Sequence, residues 1–270
     1  MTVGGDTQIV VGSVCAVLDD EKRSLVECAL EPFDPALAVV MRALVTVVGV
    51  DVTESSARRS CLVVAPHPDD ETLGAGATIM RKVDAGTPVH VLVATDGSKA
   101  PVGDPVEVAA LRARELAAAC DVLGVPAGEV TRLDFVDAEL DGADEALVVA
   151  IAETVAAVRP DEVLVTGDTD PHPDHAALAV GARRALAGTG VRMLVYPVWQ
   201  FDRPAMLVRQ LWRSGRPELV STAGYLDRKR AAVGAYASQM AARPDDPEGL
   251  HPRFLRHFDR PHEVFFPVRT

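Results

Sequence analysis

The sequence of 270 residues is poor in aromatic residues and in basic charge. Aromatic residues make up 4% of the chain, so its core must be built mostly from Ala, Val and Leu. Lys and Arg number 27 against 39 Asp and Glu, which gives a formal net charge of -12 at pH 7. Because binding to nucleic acid or to an anionic membrane requires a basic face, this balance argues against both kinds of partner. A small neutral substrate is compatible with it.

Cysteine is also scarce. The residues Cys15, Cys28, Cys61 and Cys120 form no C-x-x-C pair, and none lies beside a histidine, so zinc–cysteine and redox motifs of that kind are absent from the sequence. Cys61 and Cys120 lie in apolar patterns and are predicted to be reduced core residues. A disulfide between Cys15 and Cys28 is compatible with their spacing but not required by it.

Long apolar runs are missing as well. No stretch reaches the length of a membrane span, and the N-terminal run 9–18 has no cationic flank and is interrupted by Gly12 and Ser13. We therefore predict a strand at 9–18 instead of a signal peptide, and we expect a soluble cytoplasmic protein. The length suits one large α/β domain, or one domain with an appendage.

What the sequence does have is charge concentrated directly after a short apolar run. The run 61–65 is typical of a buried strand, and His67, Asp69, Asp70 and Glu71 follow it. So many ionisable groups at one strand end are costly unless a cation lies among them. This stretch therefore predicts a metal site.

A second polar stretch follows the apolar run 162–166 in the same way. It contains Asp170, His172, Asp174 and His175. One such motif alone would favour a simple helix cap, whereas two motifs at matched strand ends favour a functional site.

From residue 61 onwards, strand and helix patterns alternate with short connections, which predicts a parallel sheet covered on both faces. The predicted strands are 61–65, 88–95, 130–135, 162–166 and 191–196. The predicted helices between them are 72–85, 104–123, 144–158 and 174–187. The fold class is therefore α/β, a doubly wound and mostly parallel sheet of order 3-2-1-4-5.

The two ends of the chain are less regular. Residues 1–59 are predicted to form an N-terminal appendage, with a hairpin over 9–30, a helix over about 35–45 and a linker at 53–60, and residues 60–270 form the main domain. After residue 196 the alternation stops. A mixed region, a helix near 225–240, an exposed loop over 241–253 and a last strand at 263–268 are expected there.

In the predicted strand order, strands one and four are neighbours at the point where the order reverses, and ligands bind there. The two motifs should therefore face each other. Imidazole and carboxylate donors without thiolate suit zinc or another divalent first-row metal, and three protein ligands plus water is the arrangement of a catalytic site. There are more candidates than the three ligand positions, so those that do not bind the metal would act as general base or stabilise an oxyanion. The candidates are His67, Asp69, Asp70, Glu71, His172, Asp174 and His175.

Three other interpretations stay open. A phosphoesterase would usually hold two metals with more bridging carboxylates. A nucleotide-binding protein is suggested only weakly by Gly74 and Gly76, since a third glycine is missing. A catalytically inactive binding module of the same fold is the third alternative.

The two motifs resemble those of the LmbE-like, or PIG-L, N-acetylglucosamine deacetylases. Residues 65–71 are close to the family signature A-H-P-D-D-E, from which they depart by an inserted Pro66, and residues 172–175 match the signature H-P-D-H. The likeness covers about residues 60–240. It implies a Rossmann-like fold and hydrolytic deacetylation of an N-acetylglucosaminyl group with one zinc ion per chain, although iron can use the same ligands.

The resemblance also implies roles for individual residues. His67, Asp70 and His175 would bind the metal, and Asp69 would be the general base. His172 would stabilise the tetrahedral intermediate and protonate the amine, with Asp174 orienting His172. The substrate contacts that the resemblance suggests are Arg112 and Asp137, to which Trp199 is added as an apolar contact. An ordinary salt pair with Glu115 is the alternative for Arg112.

The expected substrate is a natural-product conjugate of N-acetylglucosamine, with a glycopeptide-antibiotic precursor of the teicoplanin type preferred. Members of the mycothiol pathway, which act on a GlcNAc-inositol, resemble the chain in both motifs but carry a tyrosine where this sequence has Asp170. That pathway, or another mononuclear metal hydrolase, is the alternative. The partner is thus a small molecule, and the oligomeric state is open.

Overall fold

The computed structural model describes residues 35–99, 103–240 and 250–268 of the chain. The predicted hairpin 9–30, the proposed Cys15–Cys28 disulfide and most of the predicted loop 241–253 lie outside the described residues. The strands are β1 (Val50–Asp51), β2 (Cys61–Ala65), β3 (Val89–Thr95), β4 (Val130–Phe135), β5 (Glu162–Val165), β6 (Arg192–Val195), β7 (Glu218–Ser221) and β8 (His262–Pro267).

The α-helices of the described residues are α1 (Pro35–Val48), α2 (Thr53–Ser56), α3 (Asp70–Asp84), α4 (Pro105–Leu123), α5 (Glu145–Val158), α6 (Pro173–Ala185), α7 (Pro204–Ser214), α8 (Leu226–Gly234), α9 (Ala237–Met240) and α10 (Pro252–Leu255). Local chemistry explains their ends. At α4, the Asp104 side chain accepts a hydrogen bond from the backbone N–H of Val106, Pro105 occupies the first turn, and Gly124 ends the helix at φ 84°.

The eight strands form one sheet in the order β1-β7-β8-β6-β5-β2-β3-β4. Its parallel part, β6-β5-β2-β3-β4, is the predicted order 3-2-1-4-5, and the α/β prediction is confirmed. Every residue of β2, β3 and β5 is buried, because helices cover both faces of the sheet. Alternate residues of β2 serve opposite layers: Val63 packs with α3 and α4, whereas Leu62 packs with α5 and α6.

The sheet continues beyond the predicted part. β8 runs antiparallel to both β6 and β7, and β1 pairs in parallel with β7. The sequence interpretation did not include β1, whose two residues carry no pattern, or β7, which lies after residue 196, where the strand–helix alternation stops. β1 lies within the predicted appendage 1–59. The boundary at residue 59 itself stays a prediction.

The packing of α3 on the sheet accounts for one of the two glycines that weakly suggested a nucleotide loop. A Cβ atom on Gly74 would collide with the Tyr196 ring. Tyr196 is fully buried, and its hydroxyl donates a hydrogen bond to the carbonyl of Val64 at 3.0 Å. Gly74 therefore lets α3 lie directly against the sheet, at the end that carries the charged motif. Cys61 and Cys120 are free and buried, as predicted.

Candidate active site

The two histidine-containing motifs lie side by side at the carboxyl edge of the sheet. β2 and β5 are parallel neighbours with Val64 opposite Val165, so the residues that follow both strands emerge at the same edge. The ring centroids of His67 and His172 are 4.7 Å apart, those of His172 and His175 are 4.8 Å apart, and those of His67 and His175 are 5.4 Å apart.

Asp70 connects the two motifs. Its Oδ2 atom lies 3.2 Å from Nδ1 of His67 and 3.3 Å from Nε2 of His175. Donor atoms at 2.0–2.1 Å around a tetrahedral zinc ion are separated by roughly 3.3 Å. The spacing of Asp70 from both rings therefore fits a metal ion held among His67, Asp70 and His175.

Other donors surround the same histidine. One group with ligand atoms within 4.8 Å of one another is His67, His172 and His175, and a second is His67, Asp137 and Asp174. Neither group includes Asp70. His67 is therefore the common member of every donor set that the described residues offer here.

The surroundings of His175 also fit a metal. The residue is fully buried, yet neither ring nitrogen makes a hydrogen bond with a protein atom. Nδ1 lies 3.5 Å from Oδ1 of Asp170, which is within ion-pair range but lacks hydrogen-bond geometry. Buried polar atoms without partners are costly. Nitrogen and oxygen donors without thiolate suit a divalent first-row metal, so the chemistry of the set agrees with its geometry.

Burial and like charge shift the pKa values of the carboxylates. Burial raises the pKa of Asp69 to about 7, although Arg112 lowers it and Asp70 raises it further. Burial would also raise the pKa of Asp70, but His175 and His67 hold it well below its usual range. Adjacent carboxylates thus differ in their readiness to accept a proton, and Asp69 is the one suited to do so near neutral pH.

The imidazoles are shifted in different directions. Burial lowers the pKa of His67, but hydrogen bonds with Asp137, Asp174 and Asp70 outweigh it and raise the value well above the usual one. Burial and the neighbouring His175 and His67 lower the pKa of His172 to about 4.

Asp69, the predicted base, is held by Arg112. The Nη2 atom of Arg112 lies 3.2 Å from Oδ2 of Asp69 and also donates to the carbonyl of Pro68. Arg112 was expected to contact the sugar or to pair with Glu115. Its guanidinium faces the base and lines the cavity, so the sugar contact stays a prediction. The alternative pair is not formed, since Glu115 accepts hydrogen bonds from the backbone N–H and the hydroxyl of Ser238, both at 2.7 Å. Nε of Arg112 is buried without a protein partner.

Asp174 differs from expectation in its partner. Its carboxylate was expected to orient His172, but Oδ2 lies 3.1 Å from Nε2 of His67 and accepts the backbone N–H of Ala138 at 2.8 Å. The backbone N–H of Asp174, not its side chain, contacts Nδ1 of His172 at 3.2 Å. The reason is local, because His172 is the N-cap of α6 and its ring turns back over the first helical turn.

The predicted substrate contacts Asp137 and Trp199 both line the cavity over the histidines. Asp137 lies deep in it, with Oδ1 3.1 Å from Nε2 of His67. Trp199 stacks on Phe254 with ring centroids 4.3 Å apart. The lining residues are His67, Asp69, Asp70, Leu73, Gly97, Lys99, Arg112, Asp137, His172, His175, Val198, Trp199, Gln239, Leu250 and Phe254.

Comparison with known proteins supplies the family. The family model PIG-L, described as GlcNAc-PI de-N-acetylase, matches residues 62–186. A 1D-myo-inositol 2-acetamido-2-deoxy-alpha-D-glucopyranoside deacetylase of Kineococcus radiotolerans is 31% identical, in an alignment that covers 67% of this chain and 69% of the relative. The chain belongs to the PIG-L family.

Solved structures agree with the PIG-L assignment at the level of fold. The N,N'-diacetylchitobiose deacetylase of Pyrococcus horikoshii has a TM-score of 0.62 at 22% identity, covering 78% of this chain and 84% of that one. A deacetylase–teicoplanin complex from the teicoplanin pathway has a TM-score of 0.57 at 20% identity, covering 78% and 98%. The prediction of an amide-hydrolysing enzyme is confirmed. No helix among the described residues is long and apolar enough to cross a membrane.

Two features of this PIG-L site were missed in the sequence. No role was predicted for Asp170, but its side chain is buried, accepts the backbone N–H of His172 at 3.0 Å and accepts that of Trp199 at 3.2 Å. Its place within the second polar stretch was the available signal. Phe254 and Leu250 complete one wall of the cavity. They are distant in sequence from both motifs, and no local pattern marked them.

Proposed function

We propose that this PIG-L chain is a zinc-dependent deacetylase that hydrolyses the acetamido group of an N-acetylglucosaminyl conjugate. The observation that carries the proposal is the position of Asp69. Its carboxylate is held by Arg112, and the residue lines the same cavity as His67, Asp70 and His175. A base next to a metal site with carboxylate and imidazole ligands is the arrangement of metal-assisted hydrolysis.

The roles follow from the positions. Zinc held by His67, Asp70 and His175 would polarise the amide carbonyl and make water more acidic. Asp69 takes one proton from the attacking water, whose oxygen bonds to the carbonyl carbon. The C–N bond then breaks, giving acetate and a free amine. His172 faces the cluster from the other motif and stabilises the oxyanion. The amine receives one proton as it leaves, which balances the one that Asp69 took from the water, and His172 is the group proposed to deliver it.

The cavity supports a substrate that is more than a free sugar. One side is polar and carries Asp137 and the half-exposed Lys99, whereas the other is an apolar wall of Val198, Trp199 and Phe254. Aromatic rings in a cavity lining offer apolar area that suits an aromatic or alkyl partner, and Trp199 is the more exposed ring of the stacked pair. We propose a glycopeptide-antibiotic precursor of the teicoplanin type, whose aglycone would lie on this wall. The shared fold of the teicoplanin deacetylase supports this choice.

A GlcNAc-inositol of the mycothiol type is the second candidate. The observation in its favour is the 31% identity with the Kineococcus deacetylase. Inositol is polar on all sides and would make little use of Trp199 and Phe254, so the apolar wall favours the first candidate.

A substrate panel tests the proposal. Zinc-loaded protein is given free N-acetylglucosamine, a GlcNAc-inositol and a GlcNAc-glycopeptide, and released acetate is measured. We expect the highest kcat/KM with the glycopeptide. A higher value with the inositol conjugate would select the second candidate, and no acetate from any substrate would contradict deacetylation.

Asp69→Ala tests the base within the same assay. We expect kcat to fall by at least about a hundredfold, because general acid–base catalysis contributes on the order of 10²–10⁴, while zinc content stays unchanged. Asp168→Asn is the matched control. Asp168 follows β5, as the second motif does, but its carboxylate pairs with Arg183 and Arg213 outside the cavity. Turnover of Asp69→Ala close to that of the control would exclude Asp69 as the base.

A further inference from the structure

The backbone of Asp69 is in a conformation that its side chain disfavours. Its φ angle is 135°, a region that suits glycine. The residue lies between the end of β2 and the start of α3, and its own side chain does not cap the helix. Strained residues of this kind persist only where surrounding contacts determine their conformation. The contacts that hold Asp69 should therefore be visible around it.

Arg112 holds the carboxylate, and a second set of contacts holds the backbone. The N–H of Asp69 donates to Oε2 of Glu71 at 3.1 Å. The other oxygen of Glu71, Oε1, accepts the hydroxyl of Thr72 and the hydroxyl of Tyr236, both at 2.5 Å. Glu71, Thr72 and Tyr236 are fully buried. Three donors thus converge on one carboxylate, which leaves it a single orientation.

Tyr236 connects the Glu71 carboxylate to a part of the chain that is distant in sequence. It is separated from Glu71 by 165 residues and lies between α8 and α9. Its backbone is fixed there, because its N–H donates to the carbonyl of Val233 at 3.1 Å and its carbonyl accepts the N–H of Gln239 at 3.0 Å. Gln239 lines the active-site cavity. The position of Glu71 therefore depends on the segment that also borders the substrate.

We propose that Tyr236, acting through Glu71, is a positioning residue that keeps Asp69 in its strained conformation with the carboxylate against Arg112. The inference rests on the proposed role of Asp69 as general base. Without the Tyr236 hydroxyl, the Glu71 carboxylate gains rotational freedom and its bond to the Asp69 N–H weakens. Asp69 can then relax towards an ordinary φ, which moves its carboxylate relative to the metal donors.

A purely structural role makes a different prediction. Glu71 lies in the first turn of α3, where a carboxylate stabilises a helix whatever the neighbouring site does. In that case the loss of Tyr236 would lower stability and leave the turnover of the folded enzyme unchanged. The chain offers a matched control in Tyr196, a second fully buried tyrosine, whose hydroxyl donates to a backbone carbonyl outside this arrangement.

The experiment compares Tyr236→Phe with Tyr196→Phe in the zinc-loaded enzyme. We expect Tyr236→Phe to lower kcat about tenfold, the equivalent of one hydrogen bond to a charged group, with KM within about twofold and zinc content unchanged. Tyr196→Phe should keep kcat within about twofold of wild type even where its stability falls equally. Equal kcat values for the two variants would overturn the proposal.

Glu71→Gln and hydrogen exchange provide a second arm. In Glu71→Gln the side-chain volume is kept, but the amide NH2 group would face a hydrogen-bond donor such as the Asp69 N–H, so kcat should fall at least as far as in Tyr236→Phe. The double variant should lower kcat little further than Glu71→Gln alone. Exchange of the Asp69 amide proton, measured by NMR, should be faster in both variants than in Tyr196→Phe. Unchanged exchange would overturn the inference. Since exchange needs no substrate, a wild type without deacetylase activity would contradict the proposed function and leave this measurement decisive for the positioning.

Discussion

The buried charges at the two ends of strands β2 and β5 have different kinds of partner. At the amino edge, Glu162 begins β5 and is completely buried. Its carboxylate contacts Nζ of Lys82 at 2.8 Å, Nε of Arg59 at 2.7 Å and Nη1 of Arg192 at 3.0 Å. Lys82 is equally buried and donates further hydrogen bonds to the carbonyls of Ser56 and Arg59. The buried charges of this cluster therefore face opposite charge.

At the carboxyl edge, the carboxylates of Asp70, Asp137 and Asp174 share the ring nitrogens of His67 and His175 instead of facing lysine or arginine. Asp69 and Asp70 are adjacent and buried, and burial together with its neighbour Asp70 raises the pKa of Asp69. His175 is buried with two ring nitrogens that lack hydrogen bonds. Asp174 is bound to His67 across the motifs. Carboxylates gathered in this way repel one another, and a cation among them relieves the repulsion.

This contrast separates structural from functional charge within one sheet. Where a buried charge is fully paired within the chain, the loss of a partner lowers the stability of the fold because the remaining charge stays buried. A buried cluster whose donor atoms lack partners within the chain is expected to bind a ligand, here a metal ion. Its members should therefore affect ligand binding and turnover more than folding. Variants at the two edges can test this division.

The largest effect is expected for His175→Ala. The variant should bind less than about one tenth of the wild-type zinc and lose activity by about a thousandfold or more, since His175 is one of the three ligands of the proposed metal site. Zinc per chain is measured after gel filtration, and acetate release is measured with the best substrate of the panel.

His90→Ala is the matched control, because His90 is also a buried histidine but its ring nitrogens contact Thr131 of β4 and Glu129, the residue before β4. It should retain both zinc and turnover. A His175→Ala protein with wild-type zinc content would show that His175 is not a ligand, and would remove the distinction between the two edges.

The second prediction concerns the paired edge. Lys82→Met keeps the length of the side chain but leaves Glu162 without its most buried partner, and we expect the free energy of unfolding to fall by about 3 kcal/mol. Turnover per folded molecule should be unchanged. Urea unfolding gives the stability, and zinc-loaded kinetics at low temperature give the turnover.

Lys99→Met serves as its control, since Lys99 is half exposed and pairs with the exposed Glu139. Its stability should change little. A tenfold fall in kcat of Lys82→Met with zinc retained would mean that the amino edge is coupled to the site, contrary to the comparison.

The two edges also differ in how much of their structure could be predicted from the sequence. β2 to β6 and the two motifs were predictable because strand period, helix caps and strand order are local or general properties. β1 and β7 were not, because β1 has only two residues and β7 lies in the region where the strand–helix alternation stops. The paired cluster at Glu162 was also invisible, since its members are scattered along the chain and form no motif.

Within the site, residue types were predictable but side-chain directions were not. The partner of Asp174 depends on how α6 leaves the sheet, which places its backbone N–H, and not its carboxylate, against His172. The partner of Arg112 depends on how α4 crosses α3. Tyr236 reaches Glu71 only through the packing of α8 and α9, which no short-range pattern encodes. Tertiary packing decides each of these contacts.

The smallest effect is expected for Arg192→Gln, at the rim of the paired edge. Arg192 bridges Glu162 at 3.0 Å and Glu218 at 2.6 Å, but its side chain is 38% exposed. Water screens the pair, so we expect a loss of at most about 1 kcal/mol in the free energy of unfolding, which shrinks further in about 1 M salt. Glu162 keeps Lys82 and Arg59, so no buried charge is left unpaired. A loss as large as that of Lys82→Met would mean that the loss in the free energy of unfolding at this edge depends on the number of ion pairs and not on how deeply they are buried. The contrast with the carboxyl edge would then rest on the number of partners alone.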